Sequence, residues 1–471
     1  HIGHLKHFEE AKKRGDKLIV TVTSDKYVNK GSGRPIFKQN KRIEFLSHIS
    51  CIDYVCLSES ESAINVLKII KPNFYIKGQD YKFSKEDKTG KINFEKKAVE
   101  NYGGKIIFTN EETFSSSNII NNNFKFNDEQ SKFLKSISKK YNYDYIEKIF
   151  DKINKLKVLV IGETIIDQYN FCEALGKSGK EPYLALKQLE AEEYLGGAAA
   201  IANHIADFTK KIKLISMIGE KENYKSFINK KLNKKIKSNF FKKIKSPTII
   251  KKRFIDYVSK NKLFGIYSLN DDISPYSEDI KISNHIKKDI KNFDLIIVSD
   301  YGHGFISNNT AKTITNNKKH VALNAQVNAS NVGYHTLQKY KKISSSIINE
   351  TELRHEMRNK KGDIKDLTFQ LQKKLKCENL LVTRGKNGAI LLNKKDNSLI
   401  ECPAFANKIV DKVGAGDAML SIISLLIKVG APRDLSLLLG SFAGAASVES
   451  MGNSQSLRKK DFLRYIEFSL K

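Results

Sequence analysis

The sequence predicts an α/β protein of two domains, each built on a parallel sheet, with a small β lid on the second domain. Short apolar strands alternate with helical patterns along most of the chain, which is typical of parallel sheets. The 471 residues exceed what one hydrophobic core usually organises. A polar stretch with helical spacing interrupts the alternation between residues 125 and 155. We therefore expect a first domain at 1–124, a helical connector at 125–155 and a second domain at 156–471.

Composition and charge narrow the functional classes. No apolar run reaches membrane-spanning length and no signal peptide opens the chain, so we expect a cytoplasmic protein without a membrane partner. The five cysteines lack metal-ligand spacing and indicate reduced thiols rather than a disulfide framework. The net charge is +30, but the lysines are scattered among Asn and Ile residues. We therefore expect anionic small molecules as ligands and no nucleic acid.

The first domain is predicted from four short strands at residues 17–23, 51–57, 74–77 and 105–108, with helices between them. His1-Ile2-Gly3-His4 stands at the start of a helix before the first strand. Two imidazoles near the positive end of a helix dipole can donate hydrogen bonds to a phosphate as its charge grows. Ordinary surface histidines or a tag remnant would give the same letters. Because the chain starts inside this motif, we expect it to be a fragment.

Three further segments resemble those of the cytidylyltransferase-like nucleotidyltransferases, and the resemblance spans residues 1–124. These segments are Gly33-Arg34-Pro35 with Arg42, Lys71-Pro72 through Lys77-Gly78-Gln79-Asp80-Tyr81, and Ser115-Ser116-Ser117-Asn118-Ile119-Ile120. The resemblance implies a Rossmann-like sheet that transfers a nucleotide from ATP or CTP to a sugar phosphate. It also implies that His1 and His4 stabilise the transition state. The residues that would hold phosphates are Lys77, Arg34, Ser115, Ser116 and Ser117.

The first domain departs from that family in two places. The strand and phosphate turn that precede the histidine motif in the family are absent, which leaves the activity of this half open. Asn121 stands where relatives often have a basic residue, which leaves one phosphate contact open.

Class I aminoacyl-tRNA synthetases offer a rival interpretation of the same letters. His1 to His4 matches their signature, and Lys82-Phe83-Ser84-Lys85 imitates their second lysine motif. The segment between the two is far too short for a synthetase catalytic insertion, and no anticodon-binding helices follow. We therefore set this interpretation aside.

The connector has apolar residues at helical spacing. They are Leu134, Ile137, Tyr141, Tyr145, Ile149 and Ile153. This spacing predicts one or two amphipathic helices that join the domains and pack on one of them. A flexible linker would lack such an apolar stripe.

The second domain repeats one pattern, in which a buried-looking strand ends in Gly, Asp or Asn. Strands of this kind are expected at 158–161, 295–298, 347–348 and 380–383. Because ligands bind at the carboxyl ends of strands in an open α/β sheet, we expect a binding site along this edge. Asp167, shortly after the first of these strands, is placed to bind sugar hydroxyls, although turn-forming aspartates are equally common.

The lid is predicted between residues 169 and 194, where short alternating segments surround the turn Gly176-Lys177-Ser178-Gly179-Lys180. This turn lacks the full spacing of a Walker motif, so we reject phosphate binding there. Thr248 to Arg253 alternates as a strand, and we expect Lys251 and Arg253 to face a phosphorylated substrate. A solvated edge strand would show the same alternation.

Two glycine motifs frame the predicted site. Gly196 and Gly197 allow a ligand to approach the backbone at a helix start, and we expect Asn203 to face back toward it. Gly414-Ala415-Gly416 precedes Asp417 and an apolar helix. Glycines and a helix dipole together make a pocket for an anion, and Asp417 could take a proton from an attacking hydroxyl. A Gly-rich loop with an N-capping aspartate is the simpler alternative.

In this order the motifs resemble those of the ribokinase-like (PfkB-type) carbohydrate kinases over about residues 156–471. The resemblance implies an α/β/α sandwich that transfers a phosphoryl group from ATP to a sugar. It implies that Asp417 is the general base and that Gly414, Ala415 and Gly416 form a backbone anion hole. The side chains of the Mg²⁺ and phosphate network would be Asn349 and Glu352, with Glu352 on the metal side. The residues along the ATP would be Thr383, Gly385 and Gly388. The residues that hold the sugar or its phosphate would be Asp167, Gly196, Gly197, Asn203, Lys251 and Arg253.

Two segments are similar to those of heptose-7-phosphate kinases, which are often fused to a nucleotidyltransferase that makes an ADP-heptose. The segments are Thr248-x-x-Lys251-x-Arg253 and Asp300-Tyr301-Gly302-x-Gly304. Here the fused order is reversed. Asn324-Ala325-Gln326 stands where those kinases tend to show Asp-Pro-Lys, and His303 replaces their lysine. Both departures fall near the expected sugar pocket.

We therefore expect a bifunctional enzyme of nucleotide-sugar synthesis that binds Mg²⁺, nucleotides and a sugar phosphate, with a homodimer as one assembly open to it. One alternative keeps only the kinase and makes the first domain a relic. Another is a non-enzymatic ligand-binding protein on a kinase fold. An aspartate and a glycine loop that are both intact favour the enzyme.

Overall fold

The computed structural model describes residues 2–28, 35, 37–60, 62–78, 92–109, 126–222, 224–327, 331, 333–406 and 408–470. The chain divides into two compact units, His1–Asn127 and Asp128–Lys471. Within the described ranges, no helix is both long enough and apolar enough to cross a membrane.

The first unit has parallel strands joined by helices, as its alternating sequence predicts. Its described elements are α1 Ile2–Lys12, β1 Ile19–Thr23, α2 Gln39–Ser47, β2 Tyr54–Ser58, α3 Ile64–Ile70, β3 Phe74–Lys77, α4 Ile92–Glu100 and β4 Lys105–Phe108. β1 pairs with β2 and β3 pairs with β4, both in parallel. Lys77 lies opposite Phe108, so the carboxyl ends of β3 and β4 are level.

The second unit contains a large sheet, a smaller sheet and the helices that cover them. Its elements begin with α5 Asp128–Ser138, α6 Tyr143–Asn154, β5 Lys157–Gly162, β6 Thr164–Lys177, β7 Leu184–Gly197, α7 Ala198–Ile205, β8 Lys211–Lys221, α8 Lys225–Lys231, β9 Ile236–Pro247, β10 Ile249–Asp256, β11 Lys262–Ser268 and α9 Tyr276–Ile290. They continue with β12 Leu295–Asp300, α10 Asn308–Thr315, β13 His320–Ala325, β14 Ser345–Asn349, α11 Glu350–Glu356, α12 Ile364–Leu375, β15 Asn379–Thr383, β16 Ala389–Asn393, β17 Leu399–Cys402, α13 Ala415–Lys428, α14 Arg433–Val448 and α15 Lys459–Ser469.

The large sheet has the strand order β17-β16-β15-β14-β13-β12-β5-β8-β9. It is parallel from β15 to β9, and β16 and β17 are antiparallel additions at one edge. Helices α9, α10 and α12 pack on one face, while α7, α13 and α14 lie on the other. Helices on both faces bury the central strands β5, β12 and β13 almost completely, which explains their continuous apolar runs. The predicted α/β/α sandwich is confirmed.

The order in which strands are added to the sheet reverses between β5 and β12. From β5 the strands continue outward through β8 and β9, whereas β12 to β15 extend on the opposite side. Gly162 of β5 lies opposite Ser299 of β12. Such a reversal opens a crevice at the carboxyl ends of the two strands, where ligands bind in open α/β sheets.

The smaller sheet is the predicted lid, and its strand order is β11-β10-β6-β7. β6 and β7 form a long antiparallel hairpin, and β10 runs parallel to β6. Lys251 of β10 lies opposite Asp167 of β6, and Ile165 of β6 lies opposite Gly196 of β7. The base of the lid thus begins where β5 ends, and its first residues border the crevice.

Helices α5 and α6 belong to the second unit. Their apolar stripe is buried at Leu134, Ile137, Ile149 and Ile153. Polar contacts hold the same helices from outside, since Gln130 Nε2 donates to the backbone oxygen of Ala404 and Lys140 Nζ lies 2.8 Å from Asp434 Oδ2. The amphipathic spacing in the sequence therefore corresponds to packing on the second unit.

Candidate active site

Glu163 ties together the adjacent carboxyl ends of β5 and β12. Its carboxylate accepts hydrogen bonds from the backbone N–H groups of Tyr301 and His303, at 3.0 and 3.2 Å. Glu163 is fully buried, and burial together with the neighbouring Asp300 raises its pKa. Asp300 in turn lies 2.6 Å from Lys339 Nζ. The loop after β12 is therefore fixed at the point where the sheet reverses.

Asp417 lies in the first turn of α13 and receives a hydrogen bond from Tyr301. The Tyr301 hydroxyl donates to Asp417 Oδ1 at 2.7 Å. Burial raises the pKa of Asp417 to about 7, although the hydrogen bond from Tyr301 acts in the opposite direction. The side chain of Asp417 is still partly open to solvent. A carboxyl group with a pKa near neutrality and access from outside is suited to general base catalysis.

The backbone before Asp417 has the conformation of an anion-binding loop. Gly414 caps α13 with a φ of +91°, and a Cβ there would lie 2.2 Å from Asn453 Oδ1. This turn therefore requires glycine. The N–H groups of Ala415, Gly416 and Asp417 start the helix, so they lack intrahelical acceptors, and the described residues offer them no other backbone acceptor. Together with the helix dipole they favour an anion.

Lys251 and Arg253 of the lid differ in what they are free to bind. Arg253 Nη1 lies 2.5 Å from Asp167 Oδ1, so the two buried charges already neutralise each other. The Lys251 ammonium lies 5.6 Å from the centre of the Tyr301 ring, and no carboxylate of the described residues comes within ion-pairing distance of it. Burial lowers the pKa of Lys251. Lys251 is therefore the cation that an incoming substrate anion would meet.

The glycine pair lies against the crevice, but Asn203 turns away from it. A Cβ at Gly196 would lie 2.3 Å from Asp167 Oδ2, and one at Gly197 would lie 2.3 Å from the backbone oxygen of Glu163. The Asn203 side chain instead donates to the backbone oxygen of Lys231 and accepts from the N–H of Asn233. Six residues along an α-helix rotate a side chain by about 240°, so Asn203 cannot share the direction of Gly197.

Asn349 and Glu352 form a capping box at the start of α11. Asn349 Oδ1 accepts from the Glu352 N–H at 2.8 Å, and Glu352 Oε2 accepts from the Asn349 N–H at 3.0 Å. Burial raises the pKa of Glu352 to about 7. The sequence Asn-x-x-Glu after a strand is itself the signature of such a cap.

The helix cap uses one carboxylate oxygen of Glu352, Oε2, so its place on the metal side of the Mg²⁺ network stays a prediction. Among the described residues, no group of three or more His, Cys, Asp or Glu side chains could hold a metal ion. Mg²⁺ is commonly bound through substrate phosphates and few protein ligands. We therefore derive no chemical step through the metal.

Thr383, Gly385 and Gly388 lie together after β15. Thr383 is the last residue of that strand and lies opposite Asn349 of β14. Gly388 has a φ of +78°, and a Cβ there would lie 1.9 Å from the backbone oxygen of Cys402. Gly385 has a φ of +55° and open space around it. The three residues thus form a tight turn beside the carboxyl end of β14, with room next to Gly385 for a ligand.

His303 occupies the position where the resemblance placed a lysine. Its ring is fully buried, and Nδ1 lies 2.5 Å from Asp271 Oδ1. Nε2 is buried and has no hydrogen-bond partner among the described residues. Burial lowers the pKa of His303, and the nearby Lys251 acts in the same direction. His303 therefore does not replace a lysine as a permanent positive charge.

In the first unit, the described residues of the predicted site are Lys77, at the carboxyl end of β3, and His4, in the first turn of α1. Lys77 Nζ lies 3.3 Å from Glu95 Oε2, and His4 stacks on Phe8 at the exposed start of α1. His7, for which no role was predicted, places Nδ1 3.0 Å from Thr109 Oγ1. Its pKa is lowered by burial and by Lys77. The remaining predicted residues lie outside the described ranges: His1, Arg34, Ser115, Ser116 and Ser117.

No role was predicted from the sequence for Glu163, Tyr301 or Asp411. Glu163 and Tyr301 come directly after buried strands, and this position is the signal by which the sequence could have indicated them. Asp411 lies six residues before Asp417 and contacts side chains that are distant in sequence. No local pattern indicates such contacts.

Comparison with family models identifies the second unit. Residues 155–460 match the model of the pfkB family carbohydrate kinases. The chain belongs to this family. Residues 1–122 match the cytidylyltransferase-like model, so the first unit is the cytidylyltransferase-like domain. Both resemblances seen in the sequence are thereby confirmed.

Curated relatives and solved structures agree with this assignment. Bifunctional protein HldE of Histophilus somni is 25% identical over 305 residues, which are 64% of this chain and 62% of the relative. The match therefore spans less than two thirds of that relative. Ribokinase from Thermotoga maritima superimposes with a TM-score of 0.52 at 17% identity, over 66% of this chain and 99% of the ribokinase. Phosphofructokinase-2 from Escherichia coli gives 0.53 at 13% identity, over 67% of this chain and all of that enzyme. These structural likenesses show the fold alone.

Proposed function

We propose that the second unit transfers the γ-phosphoryl group of ATP to a hydroxyl group of a sugar or sugar phosphate. The observation that carries this proposal is the Asp417 carboxyl group, with a pKa of about 7, directly after a glycine loop whose amides can bind an anion. Phosphoryl transfer depends mainly on positioning and charge stabilisation. A base beside an anion site supplies both.

In the proposed reaction, Asp417 accepts the proton of the acceptor hydroxyl while the oxygen of that hydroxyl attacks the γ-phosphorus. The bond from the γ-phosphorus to the bridging oxygen breaks, and ADP leaves with that electron pair. The N–H groups at residues 415–417 stabilise the charge on the transferred group. Tyr301 orients the Asp417 carboxylate through their 2.7 Å hydrogen bond. Mg²⁺, bound to the nucleotide phosphates, would supply further charge neutralisation.

A phosphorylated sugar is the proposed acceptor, with heptose 7-phosphate among the candidates. Lys251 supports this choice, because it is a buried cation whose ammonium group has no carboxylate of the described residues within ion-pairing distance. Leaving a charge buried without a partner is costly, and a phosphate group on the substrate would remove that cost. The name of the bifunctional relatives is consistent with a kinase joined to a second activity.

For the first unit we propose nucleotidyl transfer from ATP or CTP to the phosphorylated sugar, with release of pyrophosphate. The family match over residues 1–122 supports this activity, as does the position of Lys77 at the carboxyl end of β3. If the first unit is instead a relic with a binding role only, the protein will phosphorylate its sugar but release no pyrophosphate from any nucleotide.

The decisive experiment is a panel of free and phosphorylated sugars, each incubated with ATP and Mg²⁺, with wild-type protein and Asp417→Asn. Wild type should convert at least one phosphorylated sugar. Asp417→Asn should lower that rate by about 10²–10⁴-fold, the usual effect of removing a general base. A ligand-binding protein on a kinase fold would bind a sugar but consume no ATP, and Asp417→Asn would not change its binding.

We also propose a cytoplasmic homodimer. Substrates such as ATP and sugar phosphates support the location, as do the free cysteines of the second unit, Cys172, Cys377 and Cys402. Exposed apolar side chains on the lid strands and the turn before β7 support self-association; they are Leu175, Tyr183, Leu184, Leu263, Phe264 and Ile266. Light scattering on the purified protein would show a mass of about twice 53.5 kDa if the proposal holds.

A further inference from the structure

The lid reaches the segment before the anion-binding loop through two side chains, Tyr169 of β6 and Lys262 of β11. Lys262 is the first residue of lid strand β11, and its Nζ lies 2.5 Å from Asp411 Oδ1. Asp411 lies three residues before Gly414, at the start of the segment that leads into α13. The Lys262 side chain is 41% exposed, whereas only 1% of the Asp411 side chain is exposed. The cation of the lid therefore approaches a buried carboxylate from the solvent side.

Asp411 receives donors from four separate segments. Lys262 contacts one carboxylate oxygen, and the N–H of Val413 donates to the same oxygen at 3.1 Å. The Tyr169 hydroxyl and the N–H of Gly452 donate to the other oxygen, at 2.6 and 3.2 Å. Burial alone would raise the pKa of Asp411, but the hydrogen bonds from Lys262 and Tyr169 outweigh it and hold the pKa below its usual value.

Lys262 is the only one of these four donors that belongs to β11, the outer strand of the lid. Tyr169 lies fully buried on β6, and a Cβ at Gly452 would lie 2.8 Å from its hydroxyl oxygen, so these two donors are fixed by packing. Arg253 lies 5.3 Å from the Tyr169 ring but is paired with Asp167. Among the described residues, Lys262 is therefore the charged partner of Asp411, and its position depends on that of edge strand β11.

We propose that Lys262 is a positioning residue that makes the geometry of the anion-binding loop depend on the lid. With the lid strand in place, the ammonium group completes the donor set of Asp411. Asp411 then holds the Val413 N–H and the turn at Gly414. Without the ammonium, a buried carboxylate keeps only neutral donors, and the loop is free to leave its anion-binding conformation. This inference rests on the proposed kinase function.

The test compares Lys262→Met and Lys262→Arg with Lys187→Met, which removes a charge from exposed lid strand β7 without touching Asp411. Lys262→Met should lower kcat by about 10–100-fold, as expected for a reacting group misplaced by about 1 Å. The KM for ATP should change less than about threefold, since most of the nucleotide site lies elsewhere. Lys262→Arg should restore most of the lost kcat, and Lys187→Met should match wild type. A salt bridge that only stabilises the fold would lower the melting temperature and leave kcat at lower temperature unchanged.

Hydrogen–deuterium exchange of residues 410–418 gives a readout that needs no substrate. The proposal expects faster exchange there in Lys262→Met than in wild type and Lys187→Met. Unchanged exchange, or a kcat equal to that of wild type, would overturn it. If wild-type protein phosphorylates no acceptor, the proposed kinase function fails, while the exchange result still decides the role of Lys262. If Lys262→Met gives little folded protein, Lys262→Gln takes its place in both measurements.

Discussion

Replacing Tyr301 with phenylalanine should raise the pKa of the proposed catalytic base. The Tyr301 hydroxyl donates to Asp417 Oδ1 at 2.7 Å and stabilises the ionised carboxylate. Phenylalanine keeps the ring that packs beside Ile165 and Ile249, and it keeps the backbone N–H bonded to Glu163. The substitution therefore removes the hydroxyl group, with its hydrogen bond to Asp417, and leaves the ring and these backbone contacts in place.

The size of the shift follows from the strength of that bond. A hydrogen bond to a charged group contributes about 1.5–3 kcal/mol, and one pKa unit corresponds to about 1.36 kcal/mol. Asp417 is partly open to solvent, so water replaces part of the lost bond, and we expect a rise of about one unit. The pKa would move from about 7 to roughly 8. The ionised fraction at pH 7 would then fall from about one half to about one tenth, a roughly fivefold loss of rate.

The assay is kcat/KM for the phosphorylated acceptor between pH 5.5 and 9.5. Because the base must be ionised, the rate of wild type should fall below about pH 7, and that of Tyr301→Phe should fall below roughly pH 8. The two rates should converge above pH 9. Tyr267→Phe is the control, since its ring also lies near Lys251 but its hydroxyl makes no bond to Asp417. An acidic limb that stays in place or moves to lower pH would refute the reasoning.

Three further predictions concern the same crevice. Asp417→Asn should raise the melting temperature by about 2–4 °C at pH 8. The pKa of Asp417 is about 7 in the folded state against a usual 3.8, so the native state binds one more proton than the unfolded state between these pH values. The wild-type protein therefore loses stability as pH rises from about 4 to about 7. In calorimetry, the gain in melting temperature of Asp417→Asn should vanish below about pH 4. Lys251→Met should raise the KM for a phosphorylated acceptor by about 10–100-fold, the loss of a charge-assisted hydrogen bond, and leave the KM for ATP unchanged in steady-state assays. Gly414→Ala should reduce kcat and also destabilise the fold by at least about 1–2 kcal/mol in urea titrations, because alanine is strained at a φ of +91° and its Cβ would meet Asn453.

The sequence predicted the parts of the fold that depend on local pattern. Strands such as Phe74–Lys77 and Lys105–Phe108 have the expected bounds, because short apolar runs between polar turns are decisive in a parallel sheet. The glycine loop at 414–416 was also recognisable, since only glycine fits the left-handed turn at its start. The lid was predicted from alternation and a glycine turn, but its hairpin extends over 14 residues in each strand. The length and pairing register of such a hairpin cannot be predicted from composition.

The direction of individual side chains could not be predicted in the same way. Asn203 was expected to face the glycine pair, yet helix rotation turns it toward Asn233. Glu352 was expected on the metal side of the Mg²⁺ network, and the structure adds a contact that was not expected, in which Glu352 Oε2 closes the cap of α11. The bond between Tyr169 and Asp411 joins residues 242 positions apart. Such contacts result from the topology of the whole unit, and a motif of ten residues contains no information about them.

Under the proposed function, the charges of the crevice have to accommodate both an ionised base and a negatively charged acceptor. Glu163 and Asp417 both have raised pKa values, chiefly because they are buried, and Glu163 also because it lies beside Asp300. A phosphate on the acceptor would raise the pKa of Asp417 further and would suppress the base, unless a cation lay between them. Lys251 is close enough to lower the pKa of Asp417, and its own pKa is lowered chiefly by burial. A substrate phosphate at Lys251 would restore the full positive charge of that lysine and so offset its own effect on the base. Under the proposed function, the buried lysine would let a single crevice hold an anionic acceptor and an ionised base together, which a neutral side chain at position 251 could not do.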